Sequence, residues 1–430
     1  MSKQNENETL AILGGPKLIN HTFGRYNPLG PEEVEAAKKV IESGVLSQFL
    51  GRWDPDFFGG PKVQEFERQC ESYFGVKHAV TFNSWTSGLV AAVGAIGIEP
   101  GDEVIVSPWT MAASATAILH WNAIPVFADI ETETFNLDSA SVERNISEQT
   151  RAILSVDIAG HSADMDALRK IADKHNMKII SDTAQAPSAM YQGKFAGTLA
   201  DIGGYSLNYH KHVHTGEGGI AVTDDDDFAD RLRLIRNHAE VVVEDKGVTN
   251  LSNMIGHNFR LGEIESAMGI EQLKKLDKMV KSRQRIAQKL DAGLAGLRGL
   301  RTPVVKPGCT HVYYVYSMQV DVVALGINRQ RLHQALLAEG VPALSASYQN
   351  LHMLPMYQRK MAYGSKGFPW TSEICKREVS YAKGICPVAE RLHEAEFLGF
   401  GICSHEYKDE EVDMIIAAFR KVWRNLEALR

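Results

Sequence analysis

HAVTFNSWTSGLVAAVGAIGIEPGDEVIVS, residues 78–107, reads as a complete strand–helix–strand unit. HAVTF (78–82) is a short apolar run rich in β-formers and reads as a strand. NSWTSG interrupts it and opens an Ala/Val-rich helix to about Ile96. EPGD (99–102) supplies a turn, and EVIVS (103–107) is the next strand. Outward from this unit the alternation continues. AASATAILHW reads as a helix, IPVFADI (124–130) and RAILSVDIA (151–159) as strands, and DMDALRKIADKH (164–175) as an amphipathic helix. MKIISD (177–182), ADIGGYSL and GGIAVTD (218–224) are further strands. Strands alternating with helices at this spacing predict an α/β fold with a mostly parallel sheet covered on both faces. The near-continuous Val/Ile runs fit strands buried on both sides.

After about residue 260 the pattern changes. EIESAMGIEQLKKLDKMVKSRQRIAQKLDAGLAGL predicts one long helix from its apolar spacing. HVYYVYSMQV (311–320) predicts a strand, and INRQRLHQALLAEG (327–340) a helix stopped by glycine. DEEVDMIIAAFRKVWRNLEAL predicts a C-terminal amphipathic helix with acidic residues in its first turn. The expected organisation is an N-terminal arm (1–30), a large α/β domain (31–265) and a smaller α+β domain (266–430). A chain of 430 residues is too long for one compact core.

Composition excludes several classes. A formal charge of −7 argues against a dedicated nucleic-acid binder. No apolar run reaches transmembrane length. The opening MSKQNENETLAILGG is too polar for a signal peptide, so a cytoplasmic protein is expected. The five cysteines show no CxxC spacing and read as thiols of a reducing compartment.

In open α/β sheets ligands bind beyond the carboxyl ends of the strands, and three features collect there. NSWTSG follows a strand, and its helix N-terminus can accept a phosphate, although Ser/Thr there also serves as a plain N-cap. SDTAQA ends a strand on Asp182, which can hold a ring nitrogen protonated or cap the segment that follows. YSLNYHKHVHTGEGG (205–219) sets Lys211 in a glycine-rich loop, where the backbone can approach a ligand closely. On a strand, His210, His212 and His214 would share one face, as a metal site requires. No carboxylate or cysteine in the segment offers a convincing fourth ligand, so no metal is expected. A phosphate cradle, a buried acid and a lysine together match pyridoxal phosphate better than other chemistries.

The ordered motifs NSWTSGL, SPWTMAASATA, AGHSADMDALRKIADKH, ISDTAQAP, YSLNYHKHVHTGEGGIAVT and GHNFRLGEIESAMGIEQLKKLD strongly resemble the DegT/StrS-type sugar aminotransferases. These belong to the fold type I, or aspartate aminotransferase, superfamily. The resemblance runs from about residue 25 to the C-terminus. It implies a mostly parallel, seven-stranded-type sheet in the large domain and pyridoxal 5′-phosphate as cofactor. By motif, Lys211 looks like the Schiff-base lysine, Asp182 like the partner of the ring nitrogen and Gln185 like the ligand of the 3′-hydroxyl. Thr86 and Ser87, with the backbone at Trp85 and joined by Ser206, look like the phosphate cradle. Asn258 matches a residue that reaches the neighbouring subunit's phosphate, which implies a homodimer with shared sites.

Three departures stand out. The pair that usually carries the ring-stacking aromatic is Thr110–Met111 here, so either Met111 or Trp109 covers the ring. The usual glycine of the phosphate motif is Trp85, expected to add bulk near the cleft. Related sugar dehydratases carry histidine at the lysine position, and here it is Lys211, which favours transamination over dehydration. His210 and His212 flank it and are expected, with Trp109, at the sugar. The resemblance implies L-glutamate as donor and a keto sugar as acceptor, for an amino sugar of a surface polysaccharide or lipopolysaccharide. The alternatives are a nucleotide-free 8-keto-octulosonate acceptor, a Kdo derivative, and a dehydratase on the same cofactor. SQFLGRWDPDFFGGPK (47–62) and HAEVVVEDKGVTNLSN (238–253) read as substrate-facing loops.

Overall fold

The computed structural model describes residues 9–430. Residues 1–8 of the expected arm lie outside the described residues. The large sheet contains β1 (His78–Phe82), β2 (Glu103–Val106), β3 (Ile124–Phe127), β4 (Thr150–Val156), β5 (Lys178–Asp182), β6 (Ile202–Ser206) and β7 (Gly219–Thr223). Its order is β1-β7-β6-β5-β4-β2-β3. All strands run the same way except β7, which is antiparallel to both neighbours. The α/β class and the mostly parallel seven-stranded sheet follow the sequence pattern.

Helices α1 (Trp85–Ala95), α2 (Ala112–His120), α3 (Met165–His175) and α4 (Asp226–Arg236) cover this sheet. Helix α1 is apolar on nearly every side because it lies between the sheet, α2 and α4. It starts where the Ser84 hydroxyl accepts the Ser87 N–H at 3.1 Å.

Helix α5 (Glu263–Leu294) is 32 residues long, about 48 Å at 1.5 Å per residue. Its first half buries Ile270, Leu273 and Leu276 beside the large sheet, and its second half buries Ile286, Leu290 and Leu294 in another core. That core is built on β8 (Leu300–Arg301), β9 (Tyr316–Val320), β10 (Leu344–Ser345) and β11 (Phe397–Phe400), an antiparallel sheet in the order β8-β9-β11-β10. Helices α6 (Arg329–Glu339) and α7 (Asp409–Arg424) complete it, with Leu10, Ile19 and Phe23 from the start of the chain.

The segment from Leu351 to Leu392 returns to the first core, where Tyr357, Trp370 and Tyr381 are buried. The Tyr381 hydroxyl donates to the Pro125 carbonyl on β3 at 2.8 Å, and Arg377 grips the buried Glu103 carboxylate through two nitrogens at 2.7 and 2.9 Å.

Three local expectations change. The strand expected over 311–320 starts only at Tyr316. Before it, Val312 and Val315 donate to Gly160 and Ala159, which diverts the backbone toward the end of β4. Part of the loop expected over 238–253 is a helix, Ala239–Lys246. The histidine segment is not a strand. It is the loop between β6 and β7, so the alternation of His210, His212 and His214 does not put them on one face. No helix among the described residues is long and apolar enough to cross a membrane.

Candidate active site

The turns at the carboxyl ends of β1, β2, β4, β5 and β6 converge on a cavity of about 460 Å³. Its far wall comes from the second sheet region and carries Tyr314, Ser317, Ser345, Ser347 and Tyr348. The volume suits a small ligand held between two walls.

The hairpin from β6 to β7 delivers Lys211. Its loop is closed by Leu207 N–H to the Gly218 carbonyl at 2.9 Å and by Thr215 N–H to Leu207 at 3.0 Å. Gly219 begins β7 against the start of α1, where a Cβ would stand 2.5 Å from the Trp85 nitrogen. Only glycine lets the hairpin press this closely on that helix end. Lys211 is 8% exposed, and its Nζ lies 4.3 Å from the centre of the Tyr314 ring. No hydrogen bond holds that Nζ among the described residues. Burial brings its pKa down to about 8, opposed by the Asp182 charge.

Asp182 ends β5 and is fully engaged on one oxygen. Its Oδ1 accepts from Trp85 Nε1 at 2.9 Å and from the Ala184 N–H at 3.2 Å. Its Oδ2 accepts from the Ser114 hydroxyl at 2.7 Å. Burial pushes its pKa up, and the Ser114, Ala184 and Trp85 bonds and the Lys211 charge push back. Gln185 accepts the Ala159 N–H at 2.8 Å and meets the Tyr348 hydroxyl.

At the other end of the cavity, the α1 N-terminus leaves the Trp85 and Thr86 N–H groups without helical partners. The Thr86 and Ser206 side chains border the same space. Ser87 does not: its hydroxyl donates to Asn83 Oδ1 at 2.7 Å, as part of the cap. Trp109 is 1% exposed among Phe135, Tyr348 and Phe397, whereas Met111 borders the mouth at 66% exposure.

His210 borders the cavity, and burial lowers its pKa to about 4. His212 does not border it, contrary to expectation. Its Nε2 donates to the Val312 carbonyl at 2.7 Å, and burial lowers its pKa to about 3. Asn258 is exposed, accepts from Arg260 Nε at 2.7 Å and is not among the residues that line this chain's cavity. Neither segment 47–62 nor segment 238–253 borders that cavity.

Trp85 lines the cavity, near the cleft as expected. Its indole turns under α1 at 3% exposure and ends on Asp182, so its bulk forms part of the cavity floor. Ser114, Tyr314 and Tyr348 were not singled out from the sequence. Ser114 carried a faint signal, as a hydroxyl near the start of an alanine-rich helix and four residues after Thr110.

The arrangement fits pyridoxal phosphate on its own terms. A buried amine lacks a partner, a buried carboxylate keeps an acceptor position open, and a helix N-terminus with two hydroxyls waits across the cavity.

The profile of the DegT/DnrJ/EryC1/StrS aminotransferase family matches residues 39–394. The spore coat polysaccharide biosynthesis protein SpsC of Bacillus subtilis is 34% identical over 84% of this chain and 92% of its own length. The L-glutamine:2-deoxy-scyllo-inosose aminotransferase of Streptoalloteichus tenebrarius is 32% identical over 98% of this chain and 99% of its own. Among solved structures, DesI in the presence of its TDP-sugar product superposes with a TM-score of 0.79 at 27% identity, covering 97% of each chain. The chain belongs to the DegT/DnrJ/EryC1/StrS aminotransferase family and is a pyridoxal-phosphate-dependent aminotransferase.

Proposed function

We propose that this protein moves the amino group of L-glutamate onto a keto sugar, in the cytoplasm, for an amino sugar of a surface polysaccharide or lipopolysaccharide. The observation that carries the reading is the far wall of the cavity. Ser317, Ser345, Ser347 and Tyr348 offer hydroxyls there, and no charged side chain joins them. Such a wall suits a neutral, polyhydroxylated acceptor. The names of the similar proteins support the same class: one serves a polysaccharide, one acts on a polyhydroxylated ring ketone and one was solved in the presence of a TDP-sugar.

In this reading 31–265 is the cofactor domain, 266–430 the smaller domain and 1–30 an arm. When bound, pyridoxal phosphate takes up the electrons released as the donor's Cα–H bond breaks. Lys211 Nζ receives that proton, and its pKa of about 8 leaves a usable free-base fraction near neutral pH. Asp182 keeps the ring nitrogen protonated, and Gln185 binds the ring hydroxyl. Thr86, Ser206 and the start of α1 hold the phosphate, with Trp85 supplying a backbone N–H. The exposed Met111 thioether covers the ring face, because Trp109 is already packed. His210 flanks the acceptor, and Trp109 backs the wall it rests on through Tyr348.

The test is a half-reaction screen. The amine form of the enzyme is prepared with glutamate or glutamine and mixed with nucleotide-linked keto sugars, ring ketones and an 8-keto-octulosonate. Return of the aldehyde-form absorbance with a keto sugar whose sugar ring is uncharged, nucleotide-linked or free, is expected. Return only with an acidic, nucleotide-free acceptor would replace the proposed substrate.

A homodimer is part of the same proposal. Asn258 shares a surface with exposed Leu46, Leu50, Val241, Leu251 and Ile255, and these segments are tied together by Arg260 Nη1 to Phe49 O and Asn237 Nδ2 to Leu50 O. Exposed apolar side chains on segments tied in this way support an interface there. A hybrid of one Lys211→Ala chain and one Asn258→Ala chain is expected to retain one undamaged site, because both lesions fall in the other. Single-turnover amplitude of the purified hybrid at half the wild-type value supports sharing. An amplitude reflecting one lesion in each site removes it.

A further inference from the structure

Trp85 does more than fill space. Its indole occupies a slot left by two glycines: a Cβ at Gly88 would stand 2.4 Å from Trp85 Cε3, and one at Gly204 would stand 2.1 Å from Cη2. The ring therefore has one seat, running from the start of α1 to the end of β5. There its N–H meets Asp182 Oδ1 at 2.9 Å.

A carboxylate offers about four acceptor positions. Three are filled here. Trp85 and Ala184 occupy Oδ1, and Ser114 occupies Oδ2. Ser114 is held in turn by Thr110, hydroxyl to hydroxyl at 3.0 Å. One position remains, on Oδ2.

We propose that Trp85 is a positioning residue that locks the Asp182 carboxylate so that the open acceptor position of Oδ2 receives the N–H of the cofactor ring. The indole does this as a rigid strut between the phosphate end and the ring-nitrogen end of the site. An indole can donate and cannot accept, so the lock has one polarity.

The experiment compares pyridoxal phosphate with its deaza analogue, in which a ring C–H replaces the nitrogen. Dissociation constants of both are measured on the wild-type apoprotein and on Trp85→Phe, with the ¹⁵N shift of the labelled cofactor ring as an independent readout. Loss of a hydrogen bond to a charged group is expected to weaken pyridoxal phosphate by ~10-fold and leave the analogue within ~2-fold. The ring nitrogen's shift is expected to move toward the unprotonated position. Equal weakening of both ligands, with an unchanged ¹⁵N shift, overturns the proposal and leaves Trp85 a packing residue. Should Trp85→Phe fail to fold, 3-benzothienylalanine incorporated at position 85 keeps the ring shape and removes only the N–H. The same two outcomes then decide.

Discussion

Lys211→Ala is expected to lower amino transfer by on the order of 10³-fold or more, because the residue proposed to move the proton is gone. Borohydride reduction of the wild-type holoenzyme should place the pyridoxyl label on Lys211, and a label on another lysine would remove the assignment. The same residue should show an opposite effect on stability. Burial shifts its pKa from an ordinary 10.5 to about 8 in the folded apoprotein. The unfolded chain thus binds more protons between those values, and stability rises with pH across that window. Below pH 8 the buried charge costs about 3 kcal/mol, because a tenfold change in proton affinity is worth about 1.36 kcal/mol. Lys211→Met apoprotein should therefore be more stable than the wild type by that order at pH 7. The advantage should shrink as pH rises from 8 toward 10.5. Urea titrations of both apoproteins at pH 7 and pH 10 check this, and a difference independent of pH would refute the buried-charge account.

Asp182→Asn is expected to lower kcat by on the order of 10²–10³-fold, with a much smaller change in the donor's KM. The hydrogen bonds around the residue dictate how the amide must sit. Trp85 Nε1 and the Ala184 N–H can only donate, so the amide oxygen must face them. The Ser114 hydroxyl can reverse and accept. The amide NH₂ is left facing the ring nitrogen, where it opposes protonation. Stopped-flow measurement of the donor half-reaction separates the rate from binding. A rate within threefold of the wild type would assign the ring nitrogen to another group.

The large sheet was legible because its strands are short, apolar and separated by turn residues. The unit from His78 to Ser107 shows all three signals in sequence. Asp182 at a strand end and Lys211 in a glycine-rich loop could be singled out from their residues, Gln185 and Ser206 only through the family resemblance, and all four line one cavity. The remainder depended on contacts between distant parts of the chain. Val312 and Val315 look like strand residues by composition, yet they bond to Gly160 and Ala159 and bring Tyr314 over Lys211. No local pattern carries that. Trp85 was visible as an oddity, but its direction depends on the slot that Gly88 and Gly204 leave. The helix Ala239–Lys246 was hidden by its run of three valines, which lowers helix propensity. His212 was misplaced because its place beside Lys211 in sequence was read as a place in the cleft, whereas the loop turns its ring onto the Val312 carbonyl.

The return of residues Leu351 to Leu392 to the first core has a consequence for biosynthesis. At the moment Thr223 leaves the ribosome every strand of the large sheet exists, but β3 still presents a bare edge. The Tyr381 hydroxyl that caps Pro125 and the Arg377 that neutralises Glu103 are more than 150 residues away. At a synthesis rate of roughly 5–20 residues per second, that edge waits on the order of ten to thirty seconds. An uncovered strand edge is a template for wrong pairing. Chains stalled after residue 294 should bind a trigger-type holdase and aggregate on release, whereas chains stalled on a C-terminal linker long enough to carry all 430 residues out of the ribosome should not. Ribosome-bound chains of the two lengths, compared by pelleting after release, measure how long this enzyme needs a guardian before it can fold.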